Sequence, residues 1–153
     1  MAVALEWTPR AEQQFDGLRN RHQQQVAQFL RHLEAEGCAA LGYRLTGGAP
    51  LDHLCVKHVG DLRIVVAFRS GRQACVVLIG RHDEADPGGD VYAALYELAG
   101  VKAPTDPRTK PSCCDDSGLP PEIGAAVDEL ADRAVRIRRT RRGEGRNGDA
   151  PRS

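Results

Sequence analysis

Lys57, Arg63, Arg69 and His82 are the residues in the middle of this chain whose types suit phosphate chemistry. A guanidinium grips two phosphate oxygens at once, a lysine supplies a compact charge, and a histidine moves a proton near neutral pH. Gathered on one surface, they would align a ribose hydroxyl against its own phosphate and stabilise the charge that develops, a nucleotidyl transfer that needs no metal. Whether they meet depends on the elements that carry them.

Val3, Leu5 and Trp7 alternate with Ala4 and Glu6, as in a short strand with one buried face. Thr8-Pro9 predicts a helix start, because a hydroxyl caps the first free amides and proline loses nothing at the first helical position. A second helix is expected from about Arg21 to Glu36, with Val26, Phe29, Leu30 and Leu33 on one side and Gly37 as its stop. After a loop containing Gly42, Gly47, Gly48 and Pro50, the runs His53 to His58, Leu62 to Arg69 and Arg72 to Arg81 predict an antiparallel meander. Asp90 to Leu98 reads as a short helix near residue 95. The fold expected is α+β: an N-terminal strand, a helix hairpin packed on one face of an antiparallel sheet with a three-stranded meander, and a closing helix.

Strand alternation then assigns faces, since a slip of one residue exchanges them. With Val59, Gly60 and Asp61 as the first loop, Lys57 opposes Arg63 and His58 opposes Leu62. Leu54, Val56, Leu62, Ile64, Val66 and Phe68 then face the helix hairpin. A turn at Ser70 and Gly71 sets Arg69 opposite Arg72, placing Cys75, Val77 and Ile79 on the same covered side. Cys55, Lys57, Arg63, Arg69, Leu78 and His82 are left on the other, open face.

Composition bounds the rest. The 153 residues carry 21 Lys plus Arg and 21 Asp plus Glu, so neither a basic coat nor an acidic solvating chain describes the molecule, and charge-driven function must be local. The longest apolar run, Ala74 to Ile79, is far below the roughly 18 residues of a membrane span, and the opening residues do not read as a leader. A soluble, cytoplasmic protein is expected, with no membrane contact. Five cysteines without a C-x-x-C pair suggest reduced thiols rather than a disulfide framework. His53, Cys55 and His82 are a sparse set for a metal, and no metal or other cofactor is expected. Residues 1–101 read as the domain, 102–119 as a flexible linker, 120–142 as a lone helix and 143–153 as a disordered tail. Six arginines and no acid lie between Arg133 and Arg142, a basic end suited either to contact with RNA, DNA or an acidic partner protein, or simply to the helix dipole.

Four stretches resemble the RelE/ParE toxins of bacterial type II toxin–antitoxin systems. They are Trp7-Thr8-Pro9-Arg10-Ala11-Glu12, Tyr43-Arg44-Leu45-Thr46-Gly47, Leu54-Cys55-Val56-Lys57 followed by Leu62-Arg63-Ile64-Val65-Val66, and Val77-Leu78-Ile79-Gly80-Arg81-His82 leading to Val91-Tyr92. The resemblance covers about Val3 to Val101. It implies a toxin bound by a cognate antitoxin, with operator DNA reached only through that complex. In one branch it implies metal-free endoribonuclease action on mRNA in the ribosome; in another, inhibition of DNA gyrase; a degenerate member would only bind antitoxin and operator. For the RNA-cleaving branch it implies Lys57 as a basic sheet position, Arg63 as the phosphate-stabilising arginine, Arg81 or His82 as the basic residue after the last strand, and Tyr92 as the helix tyrosine. Cys55 stands where that branch can carry a further lysine.

Overall fold

The computed structural model describes residues 2–46, 51–83, 85, 90–102, 110–124 and 128–133. The polypeptide opens with β1 (Ala4–Trp7), α1 (Pro9–Asp16) and α2 (Asn20–Glu36), followed by a short 3-10 turn at Gly37–Ala40. Thr8 caps α1 as its sequence suggests, its hydroxyl accepting from the Ala11 N–H at 3.0 Å. Gly37, at φ 65°, ends α2 in a backbone conformation that side chains disfavour. Next come β2 (Tyr43–Arg44), a 3-10 turn at Leu51–His53, β3 (Leu54–Val59), β4 (Leu62–Ser70), β5 (Gln73–Arg81) and α3 (Val91–Ala99). The five strands lie in the order β1-β5-β4-β3-β2. The meander is antiparallel, β1 joins β5 in parallel, and β2 adds a two-residue strand within the stretch expected to be loop.

The register of β3 on β4 differs from expectation by one residue, and this moves the functional side chains. Val59 pairs with Leu62, His58 with Arg63 and Lys57 with Ile64, so the loop is Gly60-Asp61 alone. Gly60, at φ 60°, takes the first central position of a two-residue hairpin turn, where a positive φ matches the strand twist. Directly opposed residues share a face. Lys57 therefore lies with Ile64 on the side of α2, whereas Arg63 lies with His58 on the opposite side. The expected pairing of Lys57 with Arg63 is corrected: they stand on opposite faces.

β5 corrects itself through two irregularities. Arg69 is an extra residue between the pairs Phe68–Ala74 and Ser70–Gln73, and Val77 is extra between Val66–Val76 and Val65–Leu78. The bulge at Val77 is held from outside the sheet. The Thr8 hydroxyl donates to the Val77 carbonyl at 2.8 Å, and the Ile79 N–H donates to the Gln14 side-chain oxygen at 2.8 Å. Ala74 and Val76 consequently face the helix hairpin and Cys75 and Val77 face away, opposite to expectation, while Leu78, Ile79 and His82 fall on their expected sides.

Two hydrophobic layers result. Val26, Phe29, Leu30 and Leu33 of α2 cover Leu62, Ile64, Val66 and Phe68, each large side chain contributing about 1.5–3 kcal/mol on burial. The second face is not bare as expected. Val91, Leu95 and Leu98 of α3, with Leu130, cover Leu54, Val56, Val65 and Leu78 there.

The cysteines form two disulfides, Cys38–Cys114 and Cys55–Cys113, with Cα atoms 5.5 and 5.7 Å apart, leaving Cys75 as the buried free thiol. The reading of all five as reduced thiols is corrected: Cys113-Cys114 is far in sequence from Cys38 and Cys55, so no spacing rule pairs them. Residues 110–119, expected as linker, are thereby held on the domain; the Arg44 N–H donates to Pro111 O at 2.7 Å. Beyond them the Ile123 N–H donates to Phe68 O at 2.9 Å, residues 128–133 are helical, and Asp128 receives both terminal nitrogens of Arg69. The segment expected as a lone helix thus packs on the sheet over its described part. Part of the expected linker, 103–109, and the stretch 134–153 with all but the first of the six arginines lie outside the described residues.

Candidate functional site

The open end of the α3-covered face collects polar side chains from four elements. β3 brings His58 and β4 brings Arg63, directly opposite. β2 brings Tyr43, and α3 brings Tyr92 from its first turn. His82 follows β5. Gly80, the partner of Arg63 on β5, allows this convergence: a Cβ there would stand 3.3 Å from Val91 Cβ, so the missing side chain lets the start of α3 lie against the sheet.

A chain of hydrogen bonds ties the aromatic members together. The Tyr43 and Tyr92 hydroxyls are 2.6 Å apart, and Tyr43 Oη lies 3.1 Å from His58 Nε2. Tyr43 and His58 also meet edge to face, with ring centroids 5.5 Å apart. Tyr92 is buried, and burial followed by its bond to Tyr43 pushes the phenol well above its ordinary range. It is a neutral hydroxyl at physiological pH. Burial, then the positive charges of Arg63 and Lys110, lowers the His58 imidazole below its ordinary 6.5. His58 is accordingly neutral near pH 7, the form that accepts a proton.

His82 is held by a carboxylate. Its Nδ1 lies 2.7 Å from Asp90 Oδ1, and its ring meets the edge of Tyr92 with centroids 4.8 Å apart. Asp90 also caps α3, accepting from the Ala93 N–H at 3.0 Å, and accepts from the Asp83 N–H at 2.7 Å. Burial pushes the Asp90 carboxyl up, but the bonds from His82, Ala93 and Asp83 outweigh it and hold the group below the usual carboxylate range. An ionised carboxylate only accepts, so Nδ1 is the ring nitrogen that donates to Asp90.

Arg63 is half-buried, and one terminal nitrogen donates to Leu62 O at 3.3 Å. Among the described residues it has no ion-pair partner. Lys110 adds a second cation, its Nζ 5.1 Å from the centroid of the Tyr43 ring. The disulfide Cys55–Cys113 and the backbone bond of Arg44 to Pro111 hold this stretch beside β2.

Of the side chains singled out from sequence, the fold brings together Arg63, His82 and Tyr92. Lys57 is on the other side of the sheet. Arg81 pairs with Leu62, whose side chain is in the helix-hairpin core, so Arg81 is directed to that side and away from His82. Arg69 sits at the far end of the sheet, committed to Glu6 at 2.8 Å and Asp128 at 2.9 Å. Cys55, where a further lysine would suit the resemblance, is closed in a disulfide. His58, Tyr43, Asp90 and Lys110 were not anticipated. A two-residue turn at Gly60-Asp61 would have revealed His58, and Asp90 directly before the apolar run of α3 is a legible helix cap. Nothing local signals Tyr43 or Lys110.

Among the described residues no helix is long and apolar enough to cross a membrane. No protein-family model matches the chain, and no curated protein matches it. Among solved structures, it is similar to a chain of the toxin–antitoxin complex RelBE2 from Mycobacterium tuberculosis. That similarity has a TM-score of 0.45 and 13% identity, over 54% of this chain and 100% of that one.

Proposed function

We propose that this chain is the toxin component of a type II toxin–antitoxin system and acts in the cytoplasm as a metal-independent endoribonuclease on mRNA at the ribosome. A cognate antitoxin would neutralise it and carry the pair to operator DNA. The order of strand, helix hairpin, meander and helix supports the family reading. The observation that carries the activity is the convergence of His58, Arg63 and the His82–Asp90 pair around the Tyr43–Tyr92 hydroxyls.

The chemistry is transfer of a phosphoryl linkage to the neighbouring ribose hydroxyl. With Nε2–H of His58 donated to Tyr43, the lone pair stands on Nδ1 and takes the 2′-hydroxyl proton. The 2′-oxygen forms its bond to phosphorus as the bond to the 5′-oxygen breaks, and His82, protonated at Nε2, gives its proton to that leaving oxygen. The products are a 2′,3′-cyclic phosphate and a 5′-hydroxyl. Arg63 neutralises the non-bridging oxygens, where charge develops. Tyr92 touches Tyr43 rather than substrate in this arrangement and is a positioning residue. Asp90 holds the orientation of His82.

The purified protein should leave these two ends on a short single-stranded RNA in a chelating buffer, and should cut mRNA on translating ribosomes. Intact RNA in both assays would overturn the reading. The separation of Lys57 from Arg63 favours a second reading, a non-enzymatic member that inhibits DNA gyrase or only binds antitoxin and operator DNA. A gyrase supercoiling assay run in parallel distinguishes these two forms.

A further inference from the structure

On the other side of β3, between α2 and the β3–β4 turn, lies an open cleft of about 380 Å³ that the proposed cleavage does not use. Gln25, Gln28, His32, Lys57 and His58 line it, with Gly60 at the turn. We propose that this cleft holds the nucleotide next to the scissile phosphate of a single-stranded RNA, with Lys57 on its phosphate and the Gln25 and Gln28 amides on the edge of its base. The proposal rests on the RNA-cleaving reading above and extends it to a second subsite.

Four observations carry it. The volume lies within the roughly 300–1,000 Å³ of small-molecule sites. Lys57 is half-buried, and among the described residues it has no ion-pair partner and no acid lines the cleft to repel a phosphate. Each glutamine amide offers both a donor and an acceptor, the combination that reads the edges of unpaired bases. Gln25 Oε1 stands 3.5 Å from where a Cβ on Gly60 would be, so the turn brings backbone close to the amide.

Continuity fixes the ligand as a neighbour in the same strand. His58 is among the residues that line the cleft, while its side chain bonds to Tyr43 in the cluster opposite, so only the end of β3 separates the two sites. An RNA strand whose reacting phosphate rests on Arg63 then reaches Lys57 by passing over His58. Lys57 thus acts on RNA without sharing a face with Arg63.

The test uses the full chain, a 2′-O-methyl RNA hexamer that cannot be cleaved, and the four 5′-mononucleotides. Lys57→Ala should weaken hexamer binding about 5- to 10-fold and lower the salt-dependence slope by about 1, with Lys57→Arg restoring both. Gln25→Ala with Gln28→Ala should lower the preference among hexamers of different base composition, and mononucleotides should shift the Gln25 and Gln28 side-chain amide NMR signals. Wild-type cleavage of unmodified RNA together with unchanged hexamer binding by both variants would overturn the cleft and leave the nuclease reading standing. Shifted glutamine signals without any cleavage would support nucleotide binding in the cleft and overturn the nuclease reading. Unshifted signals and no hexamer binding would overturn both.

Discussion

His58 and Arg63 stand directly opposite each other on β3 and β4, joined by a turn of only Gly60 and Asp61. A neutral imidazole and a guanidinium with no ion-pair partner among the described residues therefore share one small area of surface. On the proposed mechanism, His58→Ala should lower RNA cleavage about 10²- to 10⁴-fold, the usual loss of a general base. Arg63→Lys should recover little of what Arg63→Ala loses, because an ammonium cannot grip two phosphate oxygens. Single-turnover cleavage of an oligonucleotide measures both effects, and wild-type rates in the two alanine variants would remove these residues from the chemistry.

Stability should rise with pH through two separate windows. His58 has a lowered folded pKa, so below 6.5 the unfolded chain binds the proton more readily, and stability falls as pH drops from 6.5 through the folded value. Asp90 is also lowered in the folded state; its contribution is fully present above its unfolded value of 3.8 and is lost as pH falls through the folded one. His58→Gln should flatten the upper window and Asp90→Asn the lower. Urea denaturation across pH 3 to 8 reads each, and identical curves for His58→Gln and wild type would show that His58 titrates normally.

Tyr43 and Tyr92 should be energetically coupled through their 2.6 Å contact. Tyr92→Phe leaves the Tyr43 hydroxyl without that partner and should cost about 1 kcal/mol of stability. The double variant should cost less than the sum of the single ones, since with both hydroxyls removed neither one is left facing an absent partner across that contact. A double-mutant cycle from denaturant midpoints measures this, and strict additivity would argue against the bond.

The disulfides predict a thiol count. Of the five cysteines only Cys75 is free, so the oxidised protein unfolded without reductant should react at one thiol, and at five after reduction. Cys55→Ala with Cys113→Ala should lower stability by about 2–4 kcal/mol, the usual range for a cross-link closing a long loop. It should also free Lys110 from the Tyr43 ring. In a reducing cytosol both cross-links are open to reduction, so cleavage assays with and without reductant show which form is active. Five reactive thiols before reduction would rule the cross-links out.

Gly80→Ala should loosen the site without touching it. The new methyl would lie 3.3 Å from Val91 Cβ, so Val91 at the start of α3 must give by a few tenths of an ångström, and overpacking of this kind costs about 1–3 kcal/mol. Tyr92, next along α3, should move with it. A lowered melting temperature with altered Tyr92 ring signals is the expected result; unchanged signals would mean that the sheet absorbs the methyl instead.

What the sequence determined by itself was local. The Thr8-Pro9 start, the Gly37 stop, the helical apolar spacing between Asp90 and Leu98 and the three β-rich runs each announce an element through bonds, backbone angles or periodicity within a few residues, and they appear where expected. Arg63 and His82 were legible as one group because Arg63 lies on β4 and the Val77 bulge returned His82 to the same side of the sheet. Tertiary structure decided the rest. Strand alternation has a period of two, so a one-residue difference at Gly60 exchanged Lys57 for His58 beside Arg63. The bulge depends on Thr8 and Gln14, more than sixty residues away. The pairing of Cys55 with Cys113, which sets Lys110 beside Tyr43, is a distant contact that neither spacing nor local propensity encodes.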